Sequence, residues 1–89
     1  MTPTYTILHI GQTNVLGEVI WFNAVANCGL CRAFGNFPAT GNEGYSDDFL
    51  VKGQFAFQRE AGPFVSGQEI LFDIDSINSI PVATNLRPA

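Results

Sequence analysis

Glycine and proline are spread along the whole chain of 89 residues, with nine glycines and five prolines. β-branched and aromatic residues crowd the short segments between them, which is typical of strands. No stretch of about a dozen residues shows the 3.6-residue periodicity of an amphipathic helix. We therefore expect an all-β protein with little or no helix. Turn or bulge signals fall at Asn27, Gly62-Pro63, Ser66-Gly67 and Asn78.

Alternation of apolar and polar residues predicts where the strands lie. The clearest half-buried strand spans 69–75, where Ile70 and Phe72 occupy one parity and Asp73 and Asp75 the other. In the segment 48–57 the same parity argument separates phenylalanines from Lys52 and Gln54. The side chains assigned to the core in this way are Phe55, Phe57, Phe64 and Phe72. The six segments predicted as strands are residues 4–10, 16–24, 28–34, 48–57, 69–75 and 82–87.

The size and spacing of these segments favour one small closed sheet. A chain of 89 residues forms a single domain with a modest core. Short strands at regular spacing predict a barrel or a sandwich. A barrel is favoured because closure removes exposed strand edges. No apolar run approaches the roughly 18 residues of a membrane helix, and no signal-peptide pattern opens the chain.

Charge limits the partners that the chain can hold. Eight acidic and four basic residues give a formal net charge of −4. General electrostatic attraction supplies most sequence-independent affinity for nucleic acid, and an acidic chain lacks it. Binding to nucleic acid would therefore need stacking and a local cationic patch, and we expect it to be weak.

Three segments carry motifs of one known family. Residues 17–24 read GEVIWFNA, residues 25–31 read VANCGLC, and residues 66–86 contain SGQEILFDI followed by IPVATNL. These resemble the cold-shock domain over about residues 16–87, with one insertion. The resemblance implies a five-stranded OB-fold barrel at 16–89, an N-terminal extension at 1–15, and a long loop at 35–47 between the third and fourth strands.

The family binds single-stranded RNA or DNA on an aromatic face, and the resemblance implies a site. Trp21 matches the family's tryptophan and would stack on a base, while Phe22 and Leu30 would add apolar contact. Ile20 and Ala26 stand where the family has lysines. The site residues that the resemblance implies are Trp21, Phe22, Leu30, Arg32, Leu50 and Lys52.

The family's second motif aligns with 48–53, and its register leaves one alternative. If the aspartates are matched, Leu50 replaces a stacking phenylalanine and Lys52, with Arg32, would meet phosphate. A slip of one residue would put Phe49 on the stacking position instead. Parity favours the first register, because Lys52 should face water together with Leu50.

Other reactive residues have simpler explanations. Cys28 and Cys31 spell CGLC, but residues three apart on a strand point to opposite faces, which disfavours redox or zinc chemistry. His9 has no recognisable catalytic partner, and Asp73 and Asp75 occupy a polar strand face. Phosphate-loop and dinucleotide fingerprints are missing from the sequence. We therefore expect no enzyme, no cofactor and no metal.

Two functions remain open. The first is weak, largely sequence-independent binding of single-stranded RNA or DNA. The second is a protein-binding OB domain that has lost nucleic-acid binding and acts as an adaptor, an inhibitor or a homodimer. Cys28, Leu30 and Leu50 stand where the family has stacking aromatic residues. An apolar patch at these positions favours this second function. Trp21 could also be an ordinary half-buried strand residue.

Two cysteines without a secretory signal predict free thiols in the cytoplasm.

Overall fold

The computed structural model describes residues 8–35 and 53–89, which form an antiparallel sheet of five strands. No residue in these two ranges is helical, so the all-β prediction is confirmed for them. Neither range contains a helix with the length and apolar character needed to span a bilayer. The strand order across the sheet is β3-β2-β1-β4-β5. The strands are β1 (Val15–Asn23), β2 (Cys28–Ala33), β3 (Gln54–Gln58), β4 (Glu69–Ile77) and β5 (Ile80–Pro88).

The strand predictions hold for the central elements and fail for residues 8–10. Residues 8–10 of the predicted strand 4–10 lie in irregular structure and a turn. Its first four residues lie outside the described part of the chain, as do residues 48–52 of the predicted strand 48–57. The rest of that segment is strand only from Gln54, because Gly53 is in a turn. β4 and β5 each extend two residues further into their connection than predicted.

Asparagines make the tight connections. Asn78 and Ser79 link β4 to β5 with φ of 51° and 67°, the backbone geometry that suits a two-residue hairpin turn. Between β1 and β2, the Asn23 side-chain oxygen accepts hydrogen bonds from the backbone N–H groups of Val25 and Ala26 at 3.0 and 3.2 Å. Asn27 follows with φ of 54°. The turns predicted at Asn27 and Asn78 are confirmed.

The core lies against one face of the sheet, as the parity argument predicted. Phe55 and Phe72 are fully buried, and Phe57 is 2% exposed. Phe64 is partly buried against the same cluster. Leu8 also belongs to the core, although it lies in the predicted N-terminal extension. The chain after Leu8 is tied to β4 by reciprocal backbone hydrogen bonds that join Gly11 and Gln12 to Ile74.

The two outer strands come close together without pairing. Cα atoms of β3 and β5 approach within 8 Å, but no hydrogen-bonded ladder joins the two strands. The sheet is therefore curved but not closed into a barrel. The OB-fold predicted from the sequence stays a prediction.

Candidate functional site

A β-bulge in β1 determines which way Trp21 points. Val19 lies opposite Cys31 of β2, but Trp21, two residues later, lies opposite Leu30. Ile20 is therefore the extra residue on the bulged strand. Such an insertion shifts the alternation of side chains by one position. Val19 faces the core, whereas Trp21 is turned to the outer face and is 48% exposed.

The turn before β4 supports the bulge. Ser66 Oγ donates a hydrogen bond to the carbonyl oxygen of Ile20 at 2.8 Å. The Gly67 N–H donates to the carbonyl of Val19 at 2.7 Å, and the Val19 N–H donates to the carbonyl of Gln68 at 2.9 Å. The turn predicted at Ser66-Gly67 is thus confirmed. Its residues also provide hydrogen-bond partners for the β1 backbone where the β1–β2 ladder is irregular.

The outer side of β1, β2 and β3 presents three cross-strand rows. Trp21, Leu30 and Ala56 form an apolar middle row, because Leu30 pairs with both of the others. A charged and polar row lies on one side of it and a mixed row on the other. We call this surface the Trp21 face; it comprises Glu18, Trp21, Asn23, Cys28, Leu30, Arg32, Gln54, Ala56 and Gln58.

A pocket opens beside Trp21, lined partly by residues of this face and partly by the buried Gly29, Phe57 and Val82 behind it. Its volume is about 360 Å³, and most of its wall is apolar. Four strands contribute to it, because Val82 of β5 closes the side next to β3. The residues that line it are Trp21, Cys28, Gly29, Leu30, Ala56, Phe57, Gln58 and Val82. An open, largely apolar pocket beside an exposed indole suits a flat aromatic ligand.

Arg32 is the only lysine or arginine in β1, β2 and β3, and its charge is already engaged. Its Nε lies 2.7 Å from Glu18 Oε1, across the β1–β2 ladder. Its guanidinium carbon lies 5.7 Å from the ring centroid of Phe34, at the distance of a cation–π contact. The face therefore carries a cation, but one that is paired with a carboxylate.

The structure does not bring Phe22 to the Trp21 face. Phe22 lies opposite Gly29, on the inner side of the sheet. Its ring stacks on Phe57 with centroids 6.1 Å apart and meets Phe64 edge-on at 5.3 Å. Adjacent residues of a strand point to opposite faces, so Trp21 and Phe22 do not share one exposed surface.

Of the predicted site residues, Trp21, Leu30 and Arg32 lie together on the Trp21 face. Leu50 and Lys52 lie outside the described residues, so their contacts with this face stay predictions.

The prediction omitted several residues that shape the site. Ala56 shares the parity of Gln54 and could have been found from the sequence. Glu18 could not, because its pairing with Arg32 depends on the register between two strands. Val82 comes from a strand remote in sequence and enters the pocket only through the curvature of the sheet.

The two cysteines lie on opposite sides of the sheet, as predicted. Cys31 is fully buried between Val19 and Phe55, and burial raises the pKa of its thiol to about 12. Cys28 is half-buried and lines the pocket. Both thiols are free. Within the described residues no three metal-ligating side chains cluster, and His9 is exposed.

Asp73 has a structural role that its strand parity did not predict. Its carboxylate accepts a hydrogen bond from the Asn14 N–H at 3.1 Å and one from the Asn85 amide at 3.2 Å. The Arg87 guanidinium lies 3.4 Å away. These hydrogen bonds, that of Asn14 foremost, and the nearby positive charge hold the pKa of Asp73 below its ordinary value. Asp73 thereby ties the start of β1 and the end of β5 to β4.

Comparison of the chain with protein-family models, with curated proteins and with solved structures finds no match. The resemblance to the cold-shock domain accordingly rests on the sequence motifs alone.

Proposed function

We propose that this protein binds single-stranded nucleic acid, RNA or DNA, weakly and with little sequence preference, on the Trp21 face. The observation that carries the proposal is the exposed indole of Trp21 beside an apolar pocket of about 360 Å³. Stacking a base on an aromatic side chain contributes about 1–3 kcal/mol and tolerates any base, because every base has a π-face.

The immediate neighbours of Trp21 suit a single base. Leu30 and Ala56 continue the apolar row beside the indole. Gln58 at the rim carries an amide that can donate and accept hydrogen bonds. With Phe22 on the inner side, Trp21 is the one aromatic ring that β1, β2 and β3 present on this face. The binding we propose is correspondingly weak.

The strand order of the sheet supports the same proposal. The order β3-β2-β1-β4-β5, with β3 and β5 close together, is the order that a closed OB-type barrel would need. We propose that the sheet is a divergent OB-fold of the cold-shock type. OB-folds hold oligonucleotides on the face of their central strands, and the Trp21 face lies on β1, β2 and β3.

Trp21 is the only tryptophan, so its fluorescence reports on the proposed site directly. The purified protein would be titrated with short oligo-dT and oligo-U at low salt. Saturable quenching by both oligonucleotides is the expected result. A flat signal up to millimolar nucleotide would contradict the proposal.

A pair of variants tests whether the pocket is the binding site. Ala56→Glu places a bulky negative charge at an exposed pocket position and should abolish the quenching. Ser76→Glu adds the same charge at an exposed position of β4 beyond its pairing with β1, and should preserve the quenching. Circular dichroism of both variants checks that the sheet is intact. Equal quenching in both variants would place the ligand elsewhere.

The Glu18–Arg32 pair supports a second candidate, a protein-binding domain. An apolar hollow whose neighbouring cation is neutralised, on a chain of net charge −4, is also suited to a protein partner or to a second copy of the chain. Size-exclusion chromatography tests self-association. A dimer that Ala56→Glu dissociates would favour this candidate, whereas a concentration-independent monomer would exclude the homodimer.

The proposal describes a binding protein and not an enzyme. We also propose a cytoplasmic location, because Cys28 and Cys31 are both free and reduced thiols are typical of that compartment.

A further inference from the structure

Glu18 and Arg32 form the polar row next to Trp21 and Leu30. They lie directly opposite each other in the β1–β2 ladder, where an Nε–Oε1 distance of 2.7 Å joins them. Both side chains reach solvent, with exposed fractions of 28% for Glu18 and 47% for Arg32. The pair is therefore accessible to a ligand on this face.

The same row continues onto β4 with a second carboxylate. Glu69 lies opposite Glu18 in the β1–β4 ladder. A phosphate that approached Arg32 would meet Glu18 at the guanidinium, with Glu69 one strand further away. Like charges at such short range repel, and less so as salt screens them.

We infer that Glu18, by pairing with Arg32, keeps Arg32 from binding phosphate. The Trp21 face then recognises the uncharged base of its ligand, and Glu18 limits the affinity for the nucleic-acid backbone. Among the residues of β1, β2 and β3, Arg32 is the cation that could contact the phosphate next to a base stacked on Trp21. Glu18 occupies Nε of Arg32, so a phosphate that reached the remaining guanidinium N–H groups would lie beside the Glu18 carboxylate and be repelled by it. This inference rests on the proposed function.

The decisive variant is Glu18→Gln, which removes the charge but keeps the size of the side chain. It should tighten binding of short oligo-dT roughly threefold to tenfold at low salt, because Arg32 is released and a repulsive charge is lost. The plot of log K against log salt should also steepen by about 0.7, the increment for one added phosphate contact on a single strand.

Two further variants separate the ion pair from general charge. Glu69→Gln removes an equal charge one strand away, where no hydrogen bond to Arg32 is formed, and should change affinity less than about twofold. Combining Glu18→Gln with Arg32→Gln should eliminate both the gain in affinity and the steeper salt dependence. Equal gains from Glu18→Gln and Glu69→Gln would overturn the inference in favour of a general charge effect.

The small ligands thymidine and thymidine 5′-monophosphate test the preference for an uncharged base. The wild-type protein should be quenched by thymidine at least as well as by the monophosphate, and Glu18→Gln should reverse that order. Stronger quenching of the wild type by the monophosphate would overturn the inference.

The two proposals fail in different ways. If no oligonucleotide quenches Trp21 in the wild type or in Glu18→Gln, the proposed function fails and the inference fails with it. If oligo-dT quenches the wild type but Glu18→Gln leaves affinity and salt dependence unchanged, only the inference fails.

Discussion

Trp21 and Leu30 lie directly opposite each other across the β1–β2 ladder, whereas Val19 lies opposite Cys31 on the other side of the sheet. In a regular strand, residues two apart share a face. The bulge at Ile20 breaks this rule and exposes the indole of Trp21, although Val19, two residues earlier, is buried. The candidate site therefore depends on one irregularity in one strand.

The hydrogen bond from Ser66 to the Ile20 carbonyl should stabilise that irregularity. We expect Ser66→Ala to lower the free energy of unfolding by about 0.5–1.5 kcal/mol, the typical contribution of one hydrogen bond. Urea unfolding followed by Trp21 fluorescence measures this. Ser76→Ala, at an exposed position of β4, is the control and should leave the midpoint unchanged. An unchanged midpoint for Ser66→Ala would mean that the bulge does not need this bond.

Gly29, on β2, has no side chain and so lets the β1 backbone and the ring of Phe57 approach it closely. A Cβ at this position would overlap the carbonyl oxygen of Trp21 and would lie 2.7 Å from Phe57 Cζ. We expect Gly29→Ala to destabilise the fold by about 1–3 kcal/mol through overpacking. Thermal unfolding measures the loss.

Gly67→Ala provides a comparison for Gly29→Ala. A Cβ at Gly67 would meet nothing within 4 Å, but the backbone there has φ of +86°. Gly67→Ala should therefore lower the free energy of unfolding by about 1 kcal/mol, because alanine disfavours this backbone conformation. If Gly67→Ala proved more harmful than Gly29→Ala, packing around Gly29 would be looser than the structure indicates.

Acid should weaken the network at Asp73. Since its folded-state pKa lies below the ordinary value of 3.8, the ionised carboxylate stabilises the fold above that pH. This contribution is lost as the pH falls through the lower folded-state value. The stability difference between the wild type and Asp73→Asn should be largest at neutral pH and should shrink below 3.8. Denaturant titrations across this range measure it.

Asp75→Asn is the matched control for Asp73→Asn, because it removes a charge from an exposed position two residues along β4. If the difference in unfolding free energy between the wild type and Asp73→Asn stayed constant from neutral to acid pH, ionisation of Asp73 would not stabilise the fold.

The two thiols should react at very different rates. Cys31 is buried and its pKa is raised to about 12, so at a pH of about 8 it stays protonated and inaccessible. Cys28 is half-buried at the pocket and should be the first to react with iodoacetamide. Mass spectrometry with Cys28→Ser identifies the modified residue, and concentrated denaturant should expose both. Rapid labelling of Cys31 in the folded protein would contradict its position in the core.

Much of the fold followed from alternation along single segments. Ile70, Phe72 and Ile74 alternate with aspartates, so the inner side of β4 was predictable without knowing its neighbours. The same local pattern placed Phe55 and Phe57 in the core. Asn27 and Asn78 marked turns because asparagine tolerates positive φ at low cost.

The structure of residues 8–12 could not be predicted from alternation within one segment. Thr4 to Ile10 has the composition of a strand, but residues 8–10 form no ladder. Leu8 is instead packed into the core, and the following residues bond to β4. Local composition shows that a segment can be buried but does not say which partner it will find.

By itself, the sequence determined the all-β class, the inner faces of β3 and β4, and the opposite orientation of Cys28 and Cys31, because each depends on spacing within one strand. Tertiary structure decided the candidate site. Only the ladder between β1 and β2 reveals that a bulge turns Trp21 outward and Phe22 inward, and that Glu18 pairs with Arg32. Only the curvature of the sheet brings Val82 to the pocket. Such relationships depend on register between strands, and register is fixed by the packing of the whole sheet.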